Sequence, residues 1–284
     1  MKIIDSHCHA WAHWPYSQAV PDPESRGIIE QLLYEMDQNG VDEAAIVCAQ
    51  IKHNPENNAY IAQQVTRYPD RLHQLADIAS MWSPDYHQPG AADRLQKAVE
   101  EWRIKGFTHY VHATDDGEWL RSDEGLALFQ VAADNNLIAS IHCQTQFQPT
   151  IRYLAERFPS VPILCHHLGH VPARGAESQI ALQEMLASAN LQNIYIKLSG
   201  YYYAIAEDKW DYPYNNTHSI VKAEYEYYGR RMCWGSDYPV VRAFMTYKQA
   251  LEAFRTHCKF VAEDDMWWIL GETLDHLLQQ SGVS

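Results

Sequence analysis

Short apolar runs alternate with longer helical patterns along the whole chain, and this alternation constrains the fold more than any single motif. Runs rich in Ile, Val, Leu, Tyr and Cys fall at 2–9, 43–49, 72–79, 106–112, 137–143, 161–167, 193–199 and 231–236. Helical spacing fills the gaps. In 25–38, Ile28, Ile29, Leu32, Leu33 and Met36 recur every three or four residues and Gly40 follows as a stop. In 123–136 an opening Asp precedes Leu126, Leu128, Phe129 and Val131. In 148–158, Pro149 opens a stripe of Ile151, Leu154, Ala155 and Phe158, and Pro159 closes it. Strands alternating with helices imply right-handed crossovers and a parallel sheet. Eight units spaced by roughly 30 residues predict a (β/α)8 TIM barrel, a fold of about 250 residues, as one domain over 1–284. Residues 263–281 add a C-terminal helix beyond the eighth unit. No Gly-x-Gly-x-x-Gly follows the first strand, which counts against a dinucleotide-binding sheet.

The charge balance narrows the partners. Lys plus Arg number 22 against 36 Asp plus Glu, a net charge of −14. That argues against a nucleic-acid or anionic-membrane partner, which needs basic surface, but leaves room for a small anionic substrate held by two or three local cations. No run of 18 apolar residues predicts a membrane span. Asp5, His7 and His9 interrupt any signal-peptide core. The six cysteines form no Cys-x-x-Cys pair, and the expectation is a reduced, cytoplasmic protein.

Within a barrel, chemistry gathers at the C-terminal ends of the strands, and the imidazoles of this chain fall there. His7 and His9 end the first strand, and positions i and i+2 of a strand share a face. Two neutral imidazoles side by side are half of a divalent metal site. His112 closes the fourth strand, His142 the fifth, and His166, His167 and His170 the sixth. Lys197 lies in the seventh and Asp237 ends the eighth. Any one of these could be a satisfied structural residue; their shared placement at one rim is what chance does not explain.

The run Ile4-Asp5-Ser6-His7-Cys8-His9, then His142, then Leu164 to Pro172, then Gly235-Ser-Asp237-Tyr-Pro resembles the amidohydrolase superfamily, in particular its amidohydrolase 2 branch of metal-dependent decarboxylases and sugar-acid or pyrone lactonases. The stretch Gly106–Leu120 and the run Tyr195-Ile-Lys197-Leu-Ser-Gly200 are most similar to lactonase-type members. The resemblance spans essentially the whole chain. It implies His7, His9, His142 and Asp237 as metal ligands, Asp237 also as proton shuttle, and His167 as the histidine near the substrate. Strand parity leaves His166 open against His167, because bulges are common at barrel rims. The end of the fourth strand has no Glu to bridge two metals, so one divalent ion is expected, Zn²⁺ with Mn²⁺ as the alternative. Some lactonase-like relatives work without metal.

Such an ion brings the pKa of water from ~15.7 to about 7. Hydrolysis then needs a base, Asp237, and polarisation of the carbonyl, by the ion or His167. The expectation is hydrolysis of a lactone or related carboxylic-acid derivative. Non-oxidative decarboxylation of a small acid is the alternative, because the same ligands serve both. A third reading is a ligand-binding barrel that has lost catalysis. Substrate contacts are expected from Arg174 and Arg242, whose forks suit a carboxylate, and from His112 and Gln144. The aromatic stretches Tyr201–Tyr203 and Trp210–Tyr214 read equally as a lid or as a subunit contact in a homo-oligomer.

Overall fold

The computed structural model describes residues 2–16, 26–205 and 209–282. Eight parallel strands run in sequence order: β1 (Ile4–Cys8), β2 (Glu43–Val47), β3 (Leu72–Asp77), β4 (Ile104–Tyr110), β5 (Ile138–His142), β6 (Ile163–Cys165), β7 (Ile194–Leu198) and β8 (Met232–Trp234). Eight helices cross between or follow them: α1 (Ile29–Asn39), α2 (Asn57–Arg67), α3 (Ala91–Glu101), α4 (Asp123–Asp134), α5 (Gln148–Arg157), α6 (Ser178–Ala187), α7 (His218–Tyr228) and α8 (Tyr247–Arg255). The expected helix over 25–38 is α1, shifted by a few residues; residue 25 lies outside the described residues. This is the (β/α)8 barrel that the alternation predicts. The ring is joined by a parallel bridge between Cys8, the last residue of β1, and Tyr238, beyond the end of β8. No helix among the described residues is long and apolar enough to cross a membrane. All six cysteines are free and buried.

Alternation along each strand sorts side chains into two cores. Ile4, Ala45, Val47, Leu75, Tyr110, Ile138, Leu164 and Cys233 fill the barrel interior, while Ala44, Ile46, Phe107, Ala139, Ile163 and Ile196 face the helices. The extra C-terminal helix is interrupted: α9 (Glu263–Trp267), a wide π turn at Trp268–Glu272, then α10 (Thr273–Gln280). Leu274, Leu277 and Leu278 of α10 join the interior cluster, so this helix plugs the end of the barrel opposite the strand C-termini. The π turn passes against the start of β1 at Gly271, where a Cβ would stand 2.0 Å from the Lys2 carbonyl oxygen; only glycine permits that approach.

A buried acid stands without a partner in the outer layer. Glu224 of α7 is fully buried and neither carboxylate oxygen has a hydrogen-bond partner. Burial pushes its pKa well above the usual 4.5. A raised native pKa gives stability that is present below the unfolded value and is lost as pH rises toward the native one. Glu224→Gln removes that loss. Its Tm is expected to exceed the parent's by about 2 °C or more at pH 8, with the gap closing at pH 4. Parallel Tm–pH curves for the two proteins would rule this out.

Candidate metal and catalytic site

The site is built where β1 meets β8. The β1–β2 register slips between Asp5 and Cys8, so that three steps on β1 oppose two on β2. Ile4 therefore lies inside the barrel and Cys8 outside, with His7 and His9 both turned to the interior. The main chain beyond β8 continues the ladder: Asp237 N donates to His7 O at 2.7 Å, and His9 N to Tyr238 O at 2.6 Å. This pairing sets the Asp237 carboxylate against the two imidazoles, with Oδ1 3.6 Å from His7 Nε2 and 3.5 Å from His9 Nε2. Gly235 allows the close pass, since a Cβ there would come within 2.7 Å of the His7 Cβ. Beneath them, Asp5 ties the junction together. It accepts from His7 N (3.1 Å), Ser236 N (2.9 Å), Ser236 Oγ (2.5 Å) and Tyr247 Oη (2.9 Å).

The donor set suits a divalent ion. His9 Nδ1 donates to Val47 O at 2.6 Å, which leaves its Nε2 with a lone pair toward Asp237. His7 Nε2 is buried with no hydrogen-bond partner. Donor atoms of His7, His9 and Asp237 lie within 4.8 Å of one another, as do those of His7, His166 and His167. Burial, then repulsion from neighbouring imidazoles and from Lys197, which comes first after burial for His166, pushes the pKa values of His7, His166 and His167 well below 6.5. Burial alone takes His170 down to about 4. The imidazoles are thus neutral at physiological pH, the form that ligates metal.

The sixth strand does not choose between its two histidines. The His166 and His167 rings both lie against His7, with centroids 4.5 and 4.4 Å from that of His7. His142 stands one ring further out. It stacks on Tyr110 at 4.6 Å and meets His170 edge-on at 4.5 Å, and it belongs to neither donor group. The expected substrate contacts lie around the rim. β4 ends at Tyr110, so alternation stops there and His112 is exposed, bonded to Thr114 Oγ1 at 2.8 Å. Tyr110 takes the inward place instead. Arg174 is exposed and donates to Asn216 Oδ1 at 2.9 Å. Arg242 is exposed and lines a separate groove with Glu35, Trp210 and Phe244. Gln144 is half-buried and opens the turn after β5.

Several site residues carry little sequence signal. The Tyr202 hydroxyl donates to Asp237 Oδ2, so each oxygen of that carboxylate has its own neighbour. Tyr203 packs on His167 at 4.6 Å and is 39% exposed, which puts it at the mouth. Asp77 ends β3; its Oδ2 accepts from Gln50 N and Trp82 Nε1, both at 2.7 Å, and burial raises its pKa to about 6. Tyr202→Phe leaves Asp237 Oδ2 without its donor. A hydrogen bond to a charged group is worth about 1.5–3 kcal/mol, so kcat is expected to fall about 10- to 100-fold with metal content unchanged. An unaltered kcat would reduce Tyr202 to a packing role.

A family model described as amidohydrolase matches residues 4–273, and the chain belongs to that family. No curated protein sequence matches it. Among solved structures it is similar to a probable 2-pyrone-4,6-dicarboxylic acid hydrolase from Acinetobacter baumannii with citric acid bound (19% identity, 98% of this chain and 100% of that one, TM-score 0.77). It is similar as well to a zinc-bound amidohydrolase from Burkholderia multivorans (17% identity, 98% and 99% covered, TM-score 0.75). A 5-carboxyvanillate decarboxylase from Sphingomonas paucimobilis also shares the fold (15% identity, 98% of each chain, TM-score 0.67).

Proposed function

We propose that this chain is a metal-dependent hydrolase of a small carboxylic-acid derivative, a lactone first among them. The observation that carries this reading is the His7–His9–Asp237 group, three buried donors with an unpartnered His7 Nε2 at its centre. In this reading His7, His9 and Asp237 would hold one divalent ion, Zn²⁺ or Mn²⁺, with His142 as the further ligand that the family resemblance implies. Bound there, the ion would supply Lewis acidity and acidify a water. Asp237 takes the water's proton as the water adds to the ester carbonyl, and returns it to the departing alkoxide, so ring opening yields one hydroxy acid. His167, neutral and bonded through Nδ1 to Ser199 Oγ at 3.0 Å, orients the carbonyl. Tyr203 and Tyr110 wall the mouth. The likeness to the A. baumannii hydrolase and the zinc-bound B. multivorans protein supports this reading.

The likeness to the carboxyvanillate decarboxylase keeps a second reaction in play, in which Asp237 and His167 deliver a proton to carbon. One assay separates the two. Pyrone, sugar-acid lactone and hydroxybenzoate panels are followed for one acid equivalent by pH-stat and for CO₂ by coupled detection. Acid release without CO₂ is expected. CO₂ release replaces hydrolysis with decarboxylation. Chelation is expected to abolish turnover and lower Tm, with both restored by Zn²⁺ or Mn²⁺; saturation at about 100-fold over Kd is worth about 2.7 kcal/mol. Full activity in a metal-free protein would end the metal mechanism.

A further inference from the structure

A second chain of polar side chains runs below the metal-binding group, and the chemistry above does not use it. Lys197 is the one Lys or Arg among the described residues that is buried. Its Nζ donates to Ser140 Oγ at 2.7 Å and lies 3.5 Å from His7 Nδ1. Ser140 Oγ lies in turn 2.7 Å from His166 Nε2. Lys197, Ser140 and His166 take the inward positions of β7 and β5 and the place just past β6, so three neighbouring strands meet at one hydroxyl.

One placement of the protons follows when Lys197 acts as the donor. An amino group in either protonation state has N–H to give, and here it gives to Ser140. The serine oxygen is then the acceptor for Lys197, and its own proton is directed to the other atom in reach, His166 Nε2. An imidazole that accepts at Nε2 carries its proton on Nδ1. That Nδ1 is buried and has no partner. The donor atoms of His166 and His7 lie within 4.8 Å.

His9 shows the opposite wiring. A carbonyl behind it takes the Nδ1 proton and leaves Nε2 free to ligate. A donor chain behind His166 supplies a proton to Nε2 and leaves a buried, unpartnered N–H at Nδ1. We propose that Lys197 and Ser140 are positioning residues that fix His166 as an Nδ1–H hydrogen-bond donor to the reacting group, and so decide that the ion sits with His9 and Asp237 rather than with His166 and His167. The second half rests on the metal reading above; the tautomer does not. An N–H aimed at developing negative charge is worth about 10²–10³ in kcat.

The test is made on the whole chain labelled with ¹⁵N-histidine, metal-free and then with one equivalent of Zn²⁺. His166 is assigned by the signals lost in His166→Gln. Long-range ¹H–¹⁵N correlation is expected to show His166 protonated at Nδ1, and Ser140→Ala to move it toward the Nε2–H form. Steady-state kinetics of Ser140→Ala should show kcat down about 100-fold with KM within about threefold, and Lys197→Arg, which still donates, should keep the wild-type tautomer. A wild-type His166 protonated at Nε2, or a tautomer unchanged in Ser140→Ala, overturns the proposal. A chain that binds no ion yet keeps the Nδ1–H tautomer overturns the metal reading and upholds the donor role.

Discussion

Asp237→Asn is expected to lower kcat by about 10⁴-fold, the upper end of what a positioned acid–base group contributes, while the protein stays folded. Asn is the informative replacement because Asp237 sits at φ +58, a left-handed backbone that Asn tolerates and Ala does not. The main-chain bonds that hold the turn, Asp237 N to His7 O and Val241 N to Asp237 O, do not involve the side chain. The amide has two orientations and both fail. With its NH₂ toward His7 and His9, it sets a donor against the lone pairs that should face the ion. With its NH₂ toward Tyr202, it meets a hydroxyl that now donates to the carboxylate. Neither accepts a proton from water. Metal affinity should fall at least about tenfold, since an anionic ligand is replaced by a neutral one. Steady-state rates and bound-metal analysis on the same preparation check both statements. A kcat within tenfold of the parent would remove Asp237 from the chemistry.

The barrel and the first half of the site were legible because periodicity carries them. Strand-helix alternation located all eight strands, and a two-residue spacing put His7 and His9 on one face. The slip in register between Asp5 and Cys8 has no sequence signature, yet it is what turns both imidazoles inward while Ile4 points in from below. His112 shows where parity misleads: the rule needs the strand to continue, and β4 ends two residues earlier. Arg174 and Arg242 lie on loops after β6 and β8, where no periodicity aims a side chain, and their forks project outward. Lys197 did carry a signal. A lysine between Ile196 and Leu198 in a buried strand must face the interior, and a buried amine needs acceptors. What the chain could not disclose is that the acceptor, Ser140, lies 57 residues away in β5.

Asp5→Ala is expected to be the most destabilising single change near the site, by about 4 kcal/mol or more. The carboxylate takes four donors from β1, from the segment beyond β8 and from α8, and it is fully buried. Alanine leaves those N–H and O–H groups unpaired, and each orphan costs about 1–3 kcal/mol. The sum rivals a whole protein's stability of about 5–15 kcal/mol, and water entering the hole recovers only part. Asp5→Asn keeps the shape and two acceptor lone pairs, so it should fold with a smaller deficit. The pH dependence distinguishes the two effects. Burial outweighs the hydrogen bonds and raises the Asp5 pKa from 3.8 to about 6. Stability from such a group is present below the unfolded value and is lost as pH rises through the native one. The wild-type advantage over Asp5→Asn should therefore be largest near pH 4 and narrow toward pH 6 and above. Thermal unfolding across that range reads it directly. A deficit in Asp5→Ala below about 1 kcal/mol would mean that the β1–β8 junction, and with it the alignment of His7 with Asp237, is held by the main-chain ladder alone.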